Sequence, residues 1–366
     1  MTLCVETATL KKIKIVDITR SREVREMKLF PKRLTVTISL LIITSSLSAQ
    51  TGGPTHTPSD DYSVNENFFK MPSGRTLGST ASIDVAADDE SIWVFDRCGA
   101  DNCVGSNLEP ILQFDMSGNF LRSFGGGMFV RPHGTHIDAD GNLWVTDGEG
   151  PNGEDPRREG KGHQVFKFSP EGEILMILGK AGIAGDGPDE FNQPSDVLVA
   201  PNGDIFIGDG HGGRSNARIV KLTSTGEFIK TWGTRGTESG QFDTPHALAM
   251  DSQGRLFVAD RGNNRVQIFD QEGNFLDEWS GFGRPSGIHI DANDILYVTD
   301  SSSSQRNNPG FERGIRMASV RDGKVFAFID DPDEEGSQEG VMVDAKGNVY
   351  GSSTRGMSLQ KYTKEN

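Results

Sequence analysis

Residues 244–279 read TPHALAMDSQGRLFVADRGNNRVQIFDQEGNFLDEW, four short runs (ALAM, RLFVAD, RVQIFD and NFLDEW) separated by SQG, GNN and QEG. Apolar side chains alternate within the runs, the period-2 pattern of half-buried strands, and the Gly- and Asn-bearing breaks stand where hairpins turn. Four antiparallel strands of this length make one small sheet with two faces to bury. Such a sheet needs copies of itself to be stable.

The copies are present. Aligned on the aspartate that ends the second strand, they are Asp96 (IWVFD), Asp147 (LWVTD), Asp209 (IFIGD), Asp260 (LFVAD) and Asp300 (LYVTD), with Ser353 at that place in a degenerate sixth copy, NVYGSS. The spacings are 51, 62, 51, 40 and 53 residues. A four-stranded repeat of about 40–50 residues predicts a β-propeller with one blade per repeat. The expected fold is therefore all-β, a six-bladed β-propeller over residues 78–366. The sixth copy shows only three strands, EGVMVD, NVYGSS and MSLQKY. Residues 67–71 (NFFKM), in an N-terminal segment spanning 50–77, are expected to supply the fourth and close the ring.

Residues 1–49 differ in kind. A basic segment after Met27 (KLFPKR), an apolar one from Leu34 and small residues before Ala49 predict a secretory signal peptide. Cleavage is expected after Ala49 and translation from Met27, with an uncleaved anchor as the alternative. The mature chain is then secreted or periplasmic, with no integral membrane domain, and is expected to be a monomer. The whole chain carries 37 Lys and Arg against 52 Asp and Glu, net −15; without residues 1–49 the balance is 28 against 48, net −20. Such a surface repels nucleic acid and anionic membranes, which sets both aside as partners. Cys98 and Cys103 remain of three cysteines, in the loop RCGADNC. In an exported protein this pair reads most simply as a disulfide, the alternative being a two-Cys metal site that needs further ligands.

Unusually long loops follow the second strand at 98–109, 148–162, 209–216 and 301–312, all on one rim, and a site is expected beneath them. Fourteen residues before each marker, at the entry to the innermost strand, stand Ser82, His133, Ser195, His246, Ser286 and Glu339. Equivalent positions in a ring of blades converge on the axis, which sets His133, His246 and Glu339 about 120° apart. Two imidazoles and a carboxylate so placed bind a first-row divalent metal, with positions left for water or substrate. Each histidine taken alone reads as a hydrogen-bonded strand residue; the shared register carries the metal reading. His136 and His289 share another register and read as structural. Arg97 and Arg261 follow their markers directly and are placed to clamp a substrate carboxylate, the alternative being a salt bridge to a neighbouring loop. His211, in GDGHGG, is either a general base reaching the axis between glycines or an exposed loop histidine.

On these residues the chain resembles NHL-repeat propellers. In VFDRCG, PHGTHIDADGNLWVTD, HQVFKF, ILGKAG, FNQPSDVLV, DGHGGRSNARIVK, GQFDTPHALAM and VADRGNNRVQ it also resembles the peptidyl-α-hydroxyglycine α-amidating lyase family. That resemblance runs through blades 1–4 and implies a three-histidine zinc site, a structural calcium, two substrate-side arginines and a tyrosine base. Carried over, two zinc ligands fall on His133 and His246 and the arginines on Arg97 and Arg261. The third zinc histidine falls on Glu339, the tyrosine on His211 and a calcium aspartate on Gly340, which leaves calcium unsupported. The expected function is a metal-dependent, lyase-like enzyme acting on a small molecule or peptide with a carboxylate, with C–N cleavage and glyoxylate release. The alternatives are another metal-dependent enzyme (a hydrolase or oxygenase) on the same site, or a non-catalytic propeller that binds a peptide, glycan or protein.

Overall fold

The structure, a computed structural model, describes residues 58–86, 89–332 and 336–365; the expected signal peptide and residues 50–57 lie outside them. Six four-stranded antiparallel sheets form the propeller. Their innermost strands are Thr80–Val85, Pro132–Ile137, Pro194–Val199, Pro245–Met250, Pro285–Ile290 and Gln338–Val343. Strands follow one another outward in chain order in blades 1–5. Residues 244–279 form blade 4, with strands Pro245–Met250, Leu256–Asp260, Arg265–Phe269 and Phe275–Trp279. Among the described residues the only helical pieces are two single 3-10 turns, Pro156–Arg158 and Arg261–Asn263, and no helix is long and apolar enough to cross a membrane.

The core lies between blades rather than within them. One apolar cluster joins Phe257, Ile268 and Trp279 of blade 4 to Leu296 and Val298 of blade 5. Another joins Phe206 and Ile219 of blade 3 to Leu256, Val258 and Phe269 of blade 4. The alternation within a strand thus feeds two different interfaces, one on each face, which is why a single blade has nowhere to bury itself.

The ring closes through Tyr62–Asn65, which pairs antiparallel with Leu359–Lys364 from Tyr62↔Lys364 to Asn65↔Lys361. The closing strand comes from the N-terminal segment as expected, but from five residues upstream of 67–71. The outermost strand of a blade is its most solvated, and YSVN is largely exposed. The apolar FFKM is used elsewhere: Phe68, Phe69 and Met71 plug the junction of blades 6 and 1, with the Phe69 ring 5.1 Å from Phe114 and the Phe68 ring 6.1 Å from Tyr350. Lys70 makes one bridge, to Asn119.

The marker residues staple the blades except blade 5, where Asp300 accepts from the Ser302 and Ser303 N–H groups of the loop that follows it. Asp96, Asp147, Asp209, Asp260, Asp300 and Ser353 are all fully buried. Asp147 accepts from the Val130 and Arg131 N–H groups at 2.9 and 2.6 Å, and Asp209 from the Asn192 N–H at 2.8 Å. Asp260 accepts from Asp243 N–H at 3.0 Å, and Ser353 from Ser337 N–H at 3.0 Å. Each of these ties the entry of the inner strand to the end of the second. Burial pushes the Asp147 carboxyl up to about 7. In blades 3 and 4 an arginine from the third strand completes the staple: Arg265 meets Asp260 at 3.1 Å and donates to the Thr237, Glu238 and Gln241 carbonyls.

A candidate metal centre at the propeller axis

Every inner strand carries a β-bulge just after its first residue. In blades 2–6 the extra residue, alone or with the glycine after it, is the channel residue read from the register: His133, Ser195, His246, Ser286 and Glu339. A bulge takes its residue out of the ladder and re-aims the side chain, here toward the axis. Blade 1 is offset by one, its bulge falling at Ala81 rather than Ser82. Residues of all six inner strands line one small central cavity of about 60 Å³.

A belt of hydrogen bonds runs around that cavity from blade to blade. The Ser82 hydroxyl donates to the His133 carbonyl at 2.6 Å, and the His133 Nδ1–H to the Ser195 carbonyl at 2.7 Å. The Ser195 hydroxyl donates to the Pro245 carbonyl at 2.5 Å, and the His246 Nδ1–H to the Ser286 carbonyl at 3.0 Å. The serines therefore join blades as well as leaving space. Gly134 permits the approach of blade 2 to blade 3, since a Cβ there would lie 2.6 Å from the Ser195 carbonyl oxygen.

This belt fixes the chemistry of the two histidines. A backbone carbonyl only accepts, so each Nδ1 carries the proton and each Nε2 presents a bare lone pair. Among the described residues the Nε2 atoms of His133 and His246 are buried with no hydrogen-bond partner. Buried polar atoms without partners are rare and need a reason. A metal is a sufficient one, because a carbonyl-anchored imidazole with its other nitrogen free is the usual ligand arrangement.

The third member of the cluster is His211. Its candidate ligand atom and those of His133 and His246 lie within 4.8 Å of one another, and the ring centroids are 4.7–5.1 Å apart. The glycine-rich loop brings it in: Gly210, Gly212 and Gly213 all have positive φ, and the His211 N–H donates to Ser215 Oγ at 2.8 Å. All three imidazoles are held well below their ordinary pKa, first by burial and then by nearby arginines and one another, so they are neutral, as ligands must be.

Glu339, expected among the ligands, instead faces Arg261, accepting from its Nη1 at 3.2 Å. It lines both the central cavity and the wider mouth above it. Arg261 stands in the 3-10 turn after Asp260 and also donates from Nη2 to His211 Nε2 at 3.1 Å, so it links the histidines to Glu339; that bond uses the one lone pair of the neutral imidazole, and His211 serves as a ligand only by giving it up. Arg97 is buried, its Nε donating to the Pro132 carbonyl at 3.0 Å and its Nη1 facing Asp101 at 3.4 Å. Cys98 and Cys103 form a disulfide, Cα–Cα 5.1 Å, in the loop directly after Arg97. At Gly340 a side chain has no room, since a Cβ would lie 2.8 Å from the Ser82 Cα.

Three further arginines line the mouth and were not singled out from sequence: Arg131, Arg284 and Arg355. A signal existed. Arg131 and Arg284 hold one register, the residue before the inner-strand proline in RPHG and RPSG, and Arg355 shares with His211 the place two after the marker.

The fold is a six-bladed β-propeller, and the NHL repeat model matches residues 242–269. It is 36% identical over 211 residues to NHL repeat-containing protein 3 of Mus musculus, covering 55% of each chain. It is 41% identical over 216 residues to peptidyl-glycine alpha-amidating monooxygenase A of Xenopus laevis, covering 54% of this chain and 22% of that protein. A probable peptidyl-alpha-hydroxyglycine alpha-amidating lyase of Caenorhabditis elegans is 36% identical over 153 residues, 41% of this chain and 39% of that one. The chain thus spans little more than half the length of the first of these relatives and less of the others. Among solved structures a gluconolactonase of Xanthomonas campestris superposes with a TM-score of 0.57 at 15% identity, over 86% of this chain and 96% of that one, a likeness of fold.

Proposed function

We propose that this protein is an exported, metal-dependent lyase of the amidating type, which splits the C–N bond of a carbinolamide bearing a carboxylate and releases glyoxylate. The observation that carries the reading is the pair of buried, unpartnered Nε2 atoms of His133 and His246 converging with His211. These three residues would hold a divalent transition metal, zinc for preference given an all-imidazole set, with iron as the alternative. When bound, the metal supplies Lewis-acid polarisation of a substrate oxygen. Partial-length similarity to an amidating lyase supports the reaction class, and the Cys98–Cys103 disulfide supports an oxidising compartment.

The chain's own residues take complementary roles. Arg261 and Arg97, at the floor of the mouth, hold the substrate carboxylate. With His211 drawn into the histidine cluster, the base is Glu339, which stands between that cluster and the mouth. Its carboxylate takes the hydroxyl proton, the O–H electron pair becomes the new C=O bond, and the C–N pair leaves on nitrogen. The proton returns from Glu339 to that nitrogen, so the products are a primary amide and glyoxylate.

The test is purified protein assayed for metal content and for glyoxylate release from an α-hydroxyglycine peptide. About one divalent metal per chain is expected, as one three-ligand site implies, with release abolished by chelation and restored by zinc. Metal-loaded protein that releases no glyoxylate would reject the lyase reading, and protein that retains no metal would reject the metal centre.

A further inference from the structure

Above the histidines the propeller opens into a mouth of about 560 Å³ lined by five arginines, Arg97, Arg131, Arg261, Arg284 and Arg355, against two carboxylates, Asp101 and Glu339. In a chain of net charge −15 this concentration of positive charge runs against the whole surface. Its arginines are unevenly paired. Arg97 and Arg261 each face one of the two carboxylates, and Arg131 meets Glu149 at 2.7 Å. Among the described residues Arg284 meets only neutral oxygens, Ser302 Oγ at 3.0 Å and Asn264 Oδ1 at 3.1 Å. Arg355 is exposed and has no ion pair among the described residues. One substrate carboxylate, held as the proposed lyase reaction requires, engages Arg97 and Arg261 and leaves these two unmatched.

The mouth also does not end above the histidines. Through Ser301, Ser302 and Arg355 it continues into a second cavity of about 380 Å³, lined by Ser301–Ser304, Asn307, Arg313 and Arg355. A guanidinium beside a run of hydroxyl donors is the composition that binds an oxyanion, carboxylate or phosphate alike. The 301–312 loop that builds it is one of the long loops of the rim.

We infer that the natural substrate carries two anionic groups, one held by Arg97 and Arg261 over the histidines and a second held by Arg284 and Arg355 where the mouth opens toward the serine-lined cavity between blades 5 and 6. The inference rests on the mouth being the substrate entrance, as the proposed function has it, and adds a substrate class: a dianion, with the second charge remote from the bond that breaks. A neutral tail has no partner for either arginine. A cationic tail is repelled.

The experiment is calorimetric titration of the metal-loaded full chain with α,ω-dicarboxylates from succinate to suberate, each against its own monoamide, and with the matching ω-phosphonocarboxylates. At least one dianion is expected to bind about tenfold or more tightly than its monoamide, an advantage that shrinks with added salt. The dicarboxylate and phosphonate arms tell which oxyanion the second subsite prefers. Arg284→Gln with Arg355→Gln should abolish the advantage while leaving monoamide affinity in place. If every dianion binds no better than its monoamide, or if the advantage survives the double variant, the second subsite is rejected. Metal content measured on the same samples reads the metal centre separately, so loss of one result leaves the other standing.

Discussion

Replacing His211 by alanine, beside Glu339→Gln as its counterpart, separates two ligand sets that differ only in the third member. Zinc sites of four protein ligands bind with about 10–16 kcal/mol, or about 2.5–4 kcal/mol per ligand. Loss of one imidazole from the cluster within 4.8 Å should therefore weaken zinc by about 100- to 1000-fold. Glu339 meets the cluster through Arg261, at 3.2 Å, with both side chains less than 15% exposed. An amide at 339 keeps the shape and loses the ion pair, so zinc affinity should stay within about tenfold of wild type, the lower end of effects on residues around a ligand, while turnover falls. The assay is competition for zinc against a chromophoric chelator, with glyoxylate release measured in parallel. A three-imidazole site is refuted if Glu339→Gln loses zinc as severely as His211→Ala, or if His211→Ala binds zinc as tightly as wild type.

Two further outcomes test the scaffold. Asp260→Ala removes the fully buried partner of Arg265 and the acceptor of the Asp243 N–H, leaving Arg265 paired only with the more exposed Glu278 at 2.8 Å; it should cost about 1–3 kcal/mol in chemical denaturation, and a loss below about 0.5 kcal/mol would show that the staple is not needed. At the opposite end of the channel, burial holds His136 and His289 down to about 4, partly offset by Asp138 and Asp291 respectively. A histidine depressed in the fold contributes stability that is present above its unfolded value, near 6.5, and is lost as pH falls toward 4. Asp84 and Asp196, raised by burial to about 7 and 8, act in the reverse direction, losing their contribution as pH rises from the ordinary carboxylate range. A difference measurement isolates the imidazole: between pH 7 and 4.5 the Tm of His136→Gln should fall less than that of wild type, by about 2–4 °C per kcal/mol, and equal falls would contradict the assignment.

The fold was legible because its signal is repeated. Period-2 alternation in residues 244–279 would fit any small sheet, but six aligned markers admit little except a ring. The closing strand was harder because its sequence, YSVN, has the polar character of a solvated edge, while the neighbouring FFKM carries the apolar signal and belongs to an interface plug. At the site, His133 and His246 were readable since a register repeated across blades translates directly into convergence on an axis. His211 and Glu339 were each found but with their surroundings exchanged. His211 reaches the axis through a loop whose path depends on glycines at positive φ, and no strand register fixes such a path. Arg284 was in register with Arg131 all along. Its significance appears only when the mouth is seen to bring arginines from five blades together.

The pairing of Tyr62–Asn65 with Leu359–Lys364 also sets the order in which the molecule can be completed. Blades 1–5 are each built from consecutive strands, and the Cys98–Cys103 loop closes within six residues. The last blade alone must join the two ends of the described chain. Its loop-closure entropy is met only after nearly all other strands have been made. Until then the edge of Leu359–Lys364 is open, and a second molecule at the same stage offers it the same YSVN strand. Exchange of that strand between two half-finished rings is thus the characteristic misassembly of this architecture, and the interlocking of the two ends protects the finished ring against opening from either side.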